Sequence, residues 1–386
     1  MEDIIKVVNE RIEDKQLYLK YDNYKNFNKT NLINYIVSLI KDKTISFPYK
    51  KYFAGNPKLI FRKIVDHNME YDKIIAPSFN NERYFKSDNN GTMITTDQEY
   101  SFDLLSDIFQ EKARLTAHKK NKISPLEDWP ISSFKVLSSI IQNRANINPE
   151  NLREYLYSIN GNYLECTQFK PTIAKEIYTR FKSRNVLDLS SGWGDRLIGA
   201  IACDSVQSYL GFDPNTGLRK GHSKIINTLC PLNGKNPENF KVDYVGFEYG
   251  DLTNKSFDMM FTSPPFFDFE VYSNDDQQSI NTNPNFKSWI KNFLFESIDK
   301  CWDHLEESGK LIIYIGDTPG SNPTIPMNIH IDQYPDSKFL GSTCFASFSH
   351  NKMGRRRYVW MWEKKSNLRK RDMSYMMKDY PEIFSK

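Results

Sequence analysis

The sequence predicts an α/β fold in which residues 165–365 form a doubly wound parallel sheet and residues 1–164 form a mostly helical accessory domain. From Thr167 onward, short apolar runs alternate with helical segments, which is typical of a parallel sheet covered by helices. Before about residue 160, apolar residues instead recur at helical steps, as in Phe102–Leu115. Residues 366–386 remain as a basic C-terminal tail.

The second half contains seven apolar runs of strand length, with helical segments between them. The predicted strands are Asn185–Leu189, Ser208–Phe212, Lys241–Val245, Phe257–Thr262, Gly309–Ile315, Phe339–Ser347 and Arg357–Glu363. The predicted helices are Pro171–Phe181, Arg196–Ala202, Gly217–Asn227 and Phe286–Leu305. In the first half, Ile4 to Ile12 and Leu32–Ile40 read as further helices, the second of them opened by Asn31.

Composition excludes several classes of protein. The chain of 386 residues is 39% hydrophobic and 26% charged, and it has no apolar run of 18 residues, so we expect no membrane span. It opens with acidic residues rather than a basic and then apolar segment, which argues against a secretory signal. Its five cysteines lack CxxC spacing and its six histidines lack metal spacing, so we expect reduced thiols, no metal site and an intracellular location in cytoplasm or nucleus.

Positive charge is concentrated at the C-terminal end. Residues 351–386 contain eleven Lys/Arg and four Asp/Glu, a local charge of +7 in a chain of net charge +4, so the rest of the chain carries −3. A basic end on a nearly neutral body suits a polyanion partner. A tail kept for solubility has the same composition, so both interpretations stay open.

A small-residue loop follows the first predicted strand of the second half. Asp188 ends the strand, and Ser190-Ser191-Gly192-Trp193-Gly194 opens the next helix. Glycine lets the backbone pass close to a bound nucleoside, where a Cβ would obstruct it. The loop amides and the helix N-terminus then face the polar groups of the ligand. Alone, such a loop is also compatible with an ordinary tight turn.

The next predicted strand ends in Asp213, which lies 25 residues after Asp188. A carboxylate at this place can accept hydrogen bonds from both hydroxyls of a ribose. Taken alone, Asp213 fits equally well as the cap of the following helix. The loop and the acid together favour a nucleoside site.

Asp188 to Gly194, Asp213 and Ser263-Pro264-Pro265-Phe266 resemble, in this order and spacing, three motifs of the class I, Rossmann-like methyltransferases. The resemblance covers roughly Thr167 to Glu363, about half of the chain, and implies a seven-stranded methyltransferase sheet with S-adenosyl-L-methionine as cofactor. At the position of Ser190 this family often has a glycine, and Trp193 is a bulky residue for such a loop. A nicotinamide dehydrogenase is the structural rival, but it normally has a third loop glycine and lacks the Ser-Pro-Pro-aromatic segment.

The resemblance also implies further cofactor contacts. Thr167-Gln168-Phe169 looks like the motif of amino-methyltransferases that closes over the methionine end of the cofactor. Asp251 falls where the family often places an acid that contacts adenine. The residues expected to bind the cofactor are therefore Thr167, Phe169, Asp188, Ser190, Gly192, Gly194, Asp213 and Asp251.

Ser263 to Phe266 follow the predicted strand Phe257–Thr262, 75 residues after Asp188. Two prolines fix φ and remove backbone donors, so the segment is stiff and its carbonyls point outward. An exocyclic amino group is a poor nucleophile, because its lone pair is conjugated with the ring. If the Ser263 hydroxyl and the Pro264 carbonyl accept its two N–H bonds, the nitrogen becomes pyramidal. In isolation, the segment is also compatible with a plain strand-ending turn.

The predicted substrate is a base taken out of the stack, with Phe266 stacked on it. Serine at the first position of this segment, here Ser263, resembles the enzymes that methylate the 4-amino group of cytosine in DNA. In the enzymes that methylate the 6-amino group of adenine, Asp or Asn is usual at that position. Cytosine in DNA is therefore favoured over adenine and over RNA. Similar segments occur in uncharacterised viral and phage methylase-like proteins, which would place the chain in a host cell. A non-catalytic nucleic-acid-binding subunit is the alternative from another class.

Two basic segments are candidates for contact with nucleic acid. Residues 41–63 hold seven Lys/Arg and one acid, interleaved with aromatic residues, and include Lys50 and Lys51. Phosphates attract such charges and unstacked bases pack on such rings. Arg355, Arg356 and Arg357 precede the last predicted strand. A basic amphipathic segment of a core has a similar pattern, and the sequence leaves the oligomeric state open.

Overall fold

The computed structural model describes residues 1–68, 93–95, 102, 104–160, 165–346, 348–349, 352–353, 357–368 and 374–384. The chain divides into two compact units. The first comprises residues 1–57, 107–167 and 270–272, and the second comprises residues 58–106, 168–269 and 273–386.

The first unit is mostly helical. Its apolar core includes Trp129, which is 4% exposed, as expected for a core anchor. Two pairs of two-residue strands complete it: Ile12–Glu13 with Gln16–Leu17, and His118–Lys119 with Glu270–Val271. Its helices are Glu2–Asn9, Tyr21–Tyr24, Lys29–Lys41, Lys50–Tyr52 (3₁₀), Leu105–Thr116, Pro125–Gln142 and Pro149–Asn160.

Local sequence explains where the two longest of these helices begin. Ser124 and Glu127 form a reciprocal capping box at the start of Pro125–Gln142. Proline is tolerated at the first helical position because no backbone donor is needed there. The helix Lys29–Lys41 begins after Asn28, whose side chain accepts a hydrogen bond from the Asn31 amide at 3.0 Å. Asn31 was expected to open this helix, so the predicted start was three residues late.

A network of buried ion pairs crosses the first unit. Lys50 Nζ lies 2.6 Å from an Asp107 carboxylate oxygen, and both side chains are almost fully buried. Lys50 was predicted to contact nucleic acid, and this is corrected: its ammonium is enclosed with a carboxylate that neutralises it. The partners come from distant parts of the sequence, namely Lys50, Asp107, Glu111, Arg114, Arg153 and Glu165.

The second unit is built on the predicted sheet, with helices Pro57–Asp66, Pro171–Phe181, Asp195–Ala202 and Arg219–Leu229 among its early elements. We number its seven main strands β1 (Asn185–Asp188), β2 (Ser208–Phe212), β3 (Phe240–Asp243), β4 (Phe257–Thr262), β5 (Leu305–Tyr314), β6 (Ser337–Ala346) and β7 (Arg357–Lys364). Their order is β6-β7-β5-β4-β1-β2-β3, and a further short strand, Met93–Thr95, pairs with β6.

Strand direction completes the fold assignment. β7 runs antiparallel to both β5 and β6, while the pairs from β5 through β4, β1 and β2 to β3 are parallel. This order, with an antiparallel seventh strand between the fifth and the sixth, is that of the Rossmann-like methyltransferase sheet, so the predicted fold class is confirmed. A crossover of strand order falls beside β1, where such sheets bind ligands at the carboxyl ends of their strands.

Helices cover the later strands. The segments Phe286–Ser288, Trp289–Phe295 and Glu296–Asp303 form one run whose middle is π-helical, and Trp289 in it is fully buried. The run ends before β5, two residues earlier than predicted. The helix Thr324–Asp332 was not predicted, because its residues are buried on most sides and leave no amphipathic pattern. The C-terminal segments Ser374–Asp379 and Pro381–Phe384 are helical as well.

Candidate active site

The loop after β1 has the backbone geometry that its glycines allow. Gly192 and Gly194 have φ values of +54° and +91°, in the left-handed region that other residues rarely adopt. A Cβ on Gly194 would lie 2.9 Å from Ile225 Cδ1, the end of a side chain that can shift, so the positive φ rather than the lack of space favours glycine there. A Cβ on Gly192 would meet no described atom closer than the Ser190 carbonyl, at 3.9 Å. The space in front of Gly192 is therefore open, and a ligand can approach its backbone closely.

Asp188, at the end of β1, is fully buried and its carboxylate has protein partners. Arg196 donates to it through Nε at 2.8 Å and through Nη2 at 3.2 Å, and the Tyr209 hydroxyl donates at 2.7 Å. Arg196 Nη2 also donates to the Ser190 carbonyl. Asp188 was predicted to bind the cofactor. Its contacts in this structure are to Arg196, Tyr209 and the Ser190 amide, so its side chain stabilises the conformation of the loop.

Asp213 lies directly after β2 and also contacts the loop that follows β1. Its carboxylate accepts hydrogen bonds from the Gly192 amide at 2.8 Å and from the Asn215 amide at 2.9 Å. Burial raises the pKa of Asp213 from 3.8 to about 6, although both amides favour the charged form. Because an ionised carboxylate has about four acceptor sites, two amides leave room for the two hydroxyls of a ribose.

His222, which no sequence pattern singled out, holds the same loop residue. Its Nε2 lies 2.9 Å from the Gly192 carbonyl oxygen and its Nδ1 lies 3.1 Å from the Tyr244 hydroxyl. A carbonyl oxygen only accepts, so Nε2 carries the hydrogen and Nδ1 accepts from Tyr244. Full burial lowers the pKa of His222 from 6.5 to about 4, and the ring is neutral at physiological pH.

Ser263 follows β4, the strand hydrogen-bonded to both β1 and β5. Its side chain is partly exposed, and its hydroxyl makes no hydrogen bond with any residue that the structure describes. The carbonyl of Pro264 is likewise unengaged by described backbone donors, since proline interrupts the ladder at this point. These two oxygens are the acceptors predicted from the sequence.

One loop hydroxyl bridges to this segment. Ser190 Oγ lies 2.9 Å from Thr262 Oγ1 and 2.8 Å from the Ser263 carbonyl oxygen. The loop after β1 and the Ser-Pro-Pro-Phe segment after β4 are thus hydrogen-bonded to each other. The sequence placed Ser190 only in the cofactor loop and did not predict this bridge.

Aromatic rings line the same edge of the sheet. Phe169, whose ring centroid lies 5.3 Å from that of Tyr314 and 5.5 Å from that of Phe261, is buried. Tyr314, at the end of β5, also contacts Phe266, with ring centroids 5.7 Å apart. Phe266 is only partly buried, which leaves part of its ring for a ligand.

The two adjacent phenylalanines differ sharply. Phe267 is 8% exposed, and its ring centroid lies 5.8 Å from that of Trp289 in the apolar core. Its φ of +54° is unusual for a large side chain and turns it away from the extended course of the segment. Phe267 therefore anchors the segment in the core, whereas Phe266 is only partly buried against it.

Thr167 and Asp251, also predicted to bind the cofactor, each form hydrogen bonds with other residues of the chain. The amide and hydroxyl of Thr167 both donate to the Glu270 carboxylate, at 2.9 and 3.2 Å, and Tyr272 donates to the same carboxylate at 2.9 Å. The Asp251 carboxylate is exposed and accepts from the Thr253 amide at 2.9 Å, and bonds to Thr253 lower its pKa.

The backbone ahead of Asp251 is held by a lysine. Lys300 Nζ donates to the carbonyl oxygens of Phe247, Glu248 and Gly250 at 2.8, 3.3 and 2.6 Å. Its ammonium also lies 4.9 Å from the centroid of the Phe247 ring. Lys300 thus gathers the three carbonyls of this loop around one charge.

Of the remaining residues predicted to contact nucleic acid, Lys51 is exposed, with its ammonium 4.7 Å from the Tyr52 ring centroid. Arg357 begins β7, and Arg355 and Arg356 lie outside the described residues. Within the described ranges, no group of three His, Cys, Asp or Glu side chains is placed to hold a metal ion. None of the described helices combines the length and apolar character required for crossing a membrane.

Comparison with known proteins finds similar chains among solved structures only. No protein-family model matches the sequence. No curated protein matches it either. An rRNA methylase from Streptococcus thermophilus is 14% identical, with 52% of this chain and 100% of that chain covered and a TM-score of 0.34. A SAM-dependent O-methyltransferase from Thermotoga maritima is 13% identical, with 55% and 72% covered and a TM-score of 0.34.

A third match is the N-methyltransferase NodS from Bradyrhizobium japonicum WM9 in complex with S-adenosyl-L-homocysteine. It is 9% identical, with 49% of this chain and 85% of that chain covered and a TM-score of 0.33. The fold assignment rests on the strand order and directions of the sheet itself.

Proposed function

We propose that this chain is an S-adenosyl-L-methionine-dependent methyltransferase that methylates the exocyclic amino group of a base in nucleic acid. The observation that carries the proposal is the position of Ser263. Ser263 directly follows a central strand, and its hydroxyl has no partner among the described residues. Its carbonyl accepts a hydrogen bond from Ser190 in the loop that also contains Gly192, and the Gly192 amide donates to Asp213.

The residues around the loop fit the proposed cofactor. The open space at Gly192 admits a nucleoside close to the backbone, and Asp213 keeps lone pairs for ribose hydroxyls. Phe169 borders the start of the helix that follows the loop, because its ring centroid lies 5.6 Å from Arg196 Cζ. S-adenosyl-L-methionine supplies, when bound, a methyl group on a positively charged sulfur. Asp188 binds Arg196, and Arg196 in turn donates to the Ser190 carbonyl of the loop.

The chain's own part in the reaction is to hold the amino nitrogen. Ser263 Oγ and the Pro264 carbonyl oxygen accept its two N–H bonds, which draws the nitrogen out of conjugation with the ring. Two prolines keep these acceptors rigid, so little reorganisation is needed when the base binds. Positioning and fixed dipoles therefore replace a strong general base.

Phe266 packs against the base. Stacking on an aromatic side chain contributes about 1–3 kcal/mol per base, which offsets much of the loss on leaving a duplex stack. Phe266 is partly exposed and is itself supported by Tyr314, so its ring is available and held in one orientation. Exposed cations such as Lys51 in the first unit are proposed to contact phosphates of the target strand.

Within this class we propose DNA as the polymer and the 4-amino group of cytosine as the first target. The proposal is supported by the serine at position 263, where the resemblance associates an acid or amide side chain with adenine. A single hydroxyl also presents a smaller acceptor than a carboxamide or carboxylate.

The test uses the full chain, cofactor labelled in its methyl group, and separate pools of DNA and RNA oligonucleotides. The products are digested to nucleosides and separated. We expect label in 4-methylcytosine from DNA. Label in 6-methyladenine or in RNA would keep the class and change the substrate, and absence of label from all nucleosides would overturn the proposed function.

A matched pair of variants controls for folding. Ser263→Ala removes the proposed acceptor, whereas Ser208→Ala removes a hydroxyl that donates to Asn185 at 2.9 Å at the opposite end of the sheet. We expect loss of label with the first variant and wild-type label with the second. Equal labelling by both would contradict the role given to Ser263.

A further inference from the structure

The bridge between the two loops is a directed chain of hydrogen bonds. Ser190 Oγ has two neighbours, Thr262 Oγ1 at 2.9 Å and the Ser263 carbonyl oxygen at 2.8 Å. The carbonyl can only accept, so the Ser190 proton points to it. Thr262 must then donate its own proton to Ser190. The order is Thr262 hydroxyl to Ser190 hydroxyl to Ser263 carbonyl.

The groups that form these hydrogen bonds are held in place by their surroundings. Thr262 is 2% exposed and is the last residue of β4, so its side chain is fixed by the sheet. Ser190 is held in turn, because its amide donates to Asp188 and its carbonyl accepts from Arg196. The two hydrogen bonds of Ser190 are partly buried. Successive hydrogen bonds shielded from water polarise one another, so the donor to Ser263 gains strength from Thr262.

The carbonyl at the end of the chain determines the orientation of the catalytic backbone. A peptide unit is planar, so fixing the Ser263 oxygen also fixes the plane that contains the Pro264 nitrogen. The proline ring then restricts the next torsion. Together these constraints restrict the backbone from which Ser263 Oγ and the Pro264 carbonyl, the two proposed acceptors, project.

We propose that Ser190 and Thr262 are positioning residues that orient the Ser263–Pro264 peptide, so that its two acceptors hold the amino group in place while the amino nitrogen attacks the methyl carbon. Ser190 sits where glycine is common in the family that the loop resembles, and a glycine there would have no hydroxyl to make this bridge. The inference rests on the proposed function for its catalytic meaning, but the geometry of the bridge is testable without substrate.

The kinetic test compares variants of the full chain in the labelling reaction. Ser190→Ala and Thr262→Val each remove a hydroxyl, and Thr262→Ser keeps one. We expect kcat to fall about 10-fold in the first two variants, with cofactor Kd within about twofold of wild type, because roughly one to two hydrogen bonds are lost. Thr262→Ser should restore most of kcat.

The double variant Ser190→Ala/Thr262→Val separates this mechanism from general loosening. Because Thr262 acts through Ser190, its removal should add nothing once Ser190 is alanine. Additive losses would overturn the proposal, as would a cofactor Kd weakened about 10-fold with kcat unchanged, which would make Ser190 a cofactor contact.

A spectroscopic arm works even if no base is methylated. The sequence contains two Ser-Pro bonds, Ser124–Pro125 and Ser263–Pro264, so serine labelled at its carbonyl carbon and proline labelled at nitrogen yield two carbon–nitrogen NMR signals. We expect Ser190→Ala to shift the Ser263 carbonyl signal in the direction of hydrogen-bond loss and to leave Ser124 unmoved. An unmoved Ser263 signal in both Ser190→Ala and Thr262→Val would overturn the proposal.

The two arms fail differently. If the wild type labels no nucleoside but the Ser263 signal shifts as expected, the proposed function is wrong and the hydrogen-bond chain stands. If labelling occurs and neither kcat nor the signal responds to the variants, the function stands and the positioning role is wrong.

Discussion

Asp213 and His222 form hydrogen bonds with the two backbone polar groups of one residue, Gly192. The Asp213 carboxylate accepts from the Gly192 amide at 2.8 Å, and His222 Nε2 donates to the Gly192 carbonyl at 2.9 Å. The loop residue is therefore immobilised through its backbone, although its own side chain is a single hydrogen. Both side chains are buried, and their pKa values move in opposite directions.

The first prediction concerns stability between pH 6.5 and 4. Asp213 ionises less readily when folded, so it stabilises the fold increasingly as pH falls from about 6 towards 3.8. His222 protonates less readily when folded, so its contribution is lost as pH falls from 6.5 towards about 4. Each shift corresponds to about 3 kcal/mol, and the contributions of the two groups oppose each other over this pH range.

Single variants should reveal the opposed effects. Measured relative to wild type, the free energy of unfolding in urea should fall with decreasing pH in Asp213→Asn, which keeps only the His222 contribution, and should rise in His222→Gln, which keeps only the Asp213 contribution. Identical pH profiles for both variants and the wild type would contradict the pKa shifts.

The second prediction separates the cofactor loop from the catalytic segment. Asp213→Ala should weaken cofactor binding about 10-fold or more, because the ribose loses a charged acceptor. Ser263→Ala should leave cofactor Kd within about twofold and lower kcat by about 10- to 100-fold. Calorimetric titration supplies the Kd and the labelling reaction supplies kcat. Similar losses of cofactor affinity in both variants would refute the division of roles.

The third prediction uses the adjacent phenylalanines. Phe266→Ala should raise KM for the nucleic acid with a small change in stability, since about 1–3 kcal/mol of stacking is lost. Phe267→Ala should destabilise the fold by about 3–5 kcal/mol, because its ring packs on Trp289. Urea unfolding and substrate titration measure the two effects. A destabilised Phe266 variant with normal KM would place that ring in the core instead.

The fourth prediction uses the adjacent lysines. Lys50→Met leaves Asp107 in a buried network without one of its cations and should destabilise the fold by about 3–5 kcal/mol. Lys51→Met should change stability by less than about 0.5 kcal/mol. It should lower the slope of log K against log salt for nucleic-acid binding by about 1. A Lys51 variant with an unchanged salt slope would remove this residue from the proposed interface.

The fold could be predicted from the sequence because its signals are local. β2 and β4 have the predicted bounds, Ser208–Phe212 and Phe257–Thr262, since each is a short apolar run between polar residues. The helix Thr324–Asp332 was missed because burial on most sides erases the periodicity that indicates a helix.

The site could be predicted only in part, because its contacts join residues that are far apart in the chain. Lys50 looked like a phosphate contact in sequence, yet its partner Asp107 lies 57 residues away and takes it into the interior. His222 has no motif around it, and its contact to Gly192 spans 30 residues. Such pairings have no periodic signal, so only a three-dimensional structure reveals them.

The three carbonyl contacts of Lys300 predict how its loop responds to the salt in the buffer. Three carbonyl oxygens around one positive charge form the kind of oxygen cage that elsewhere coordinates potassium or sodium. Here the cation is covalently tethered to the polypeptide, so dialysis cannot remove it and ions in the buffer cannot exchange with it. The conformation of the Phe247–Gly250 loop should therefore be the same in potassium, sodium or choline salts.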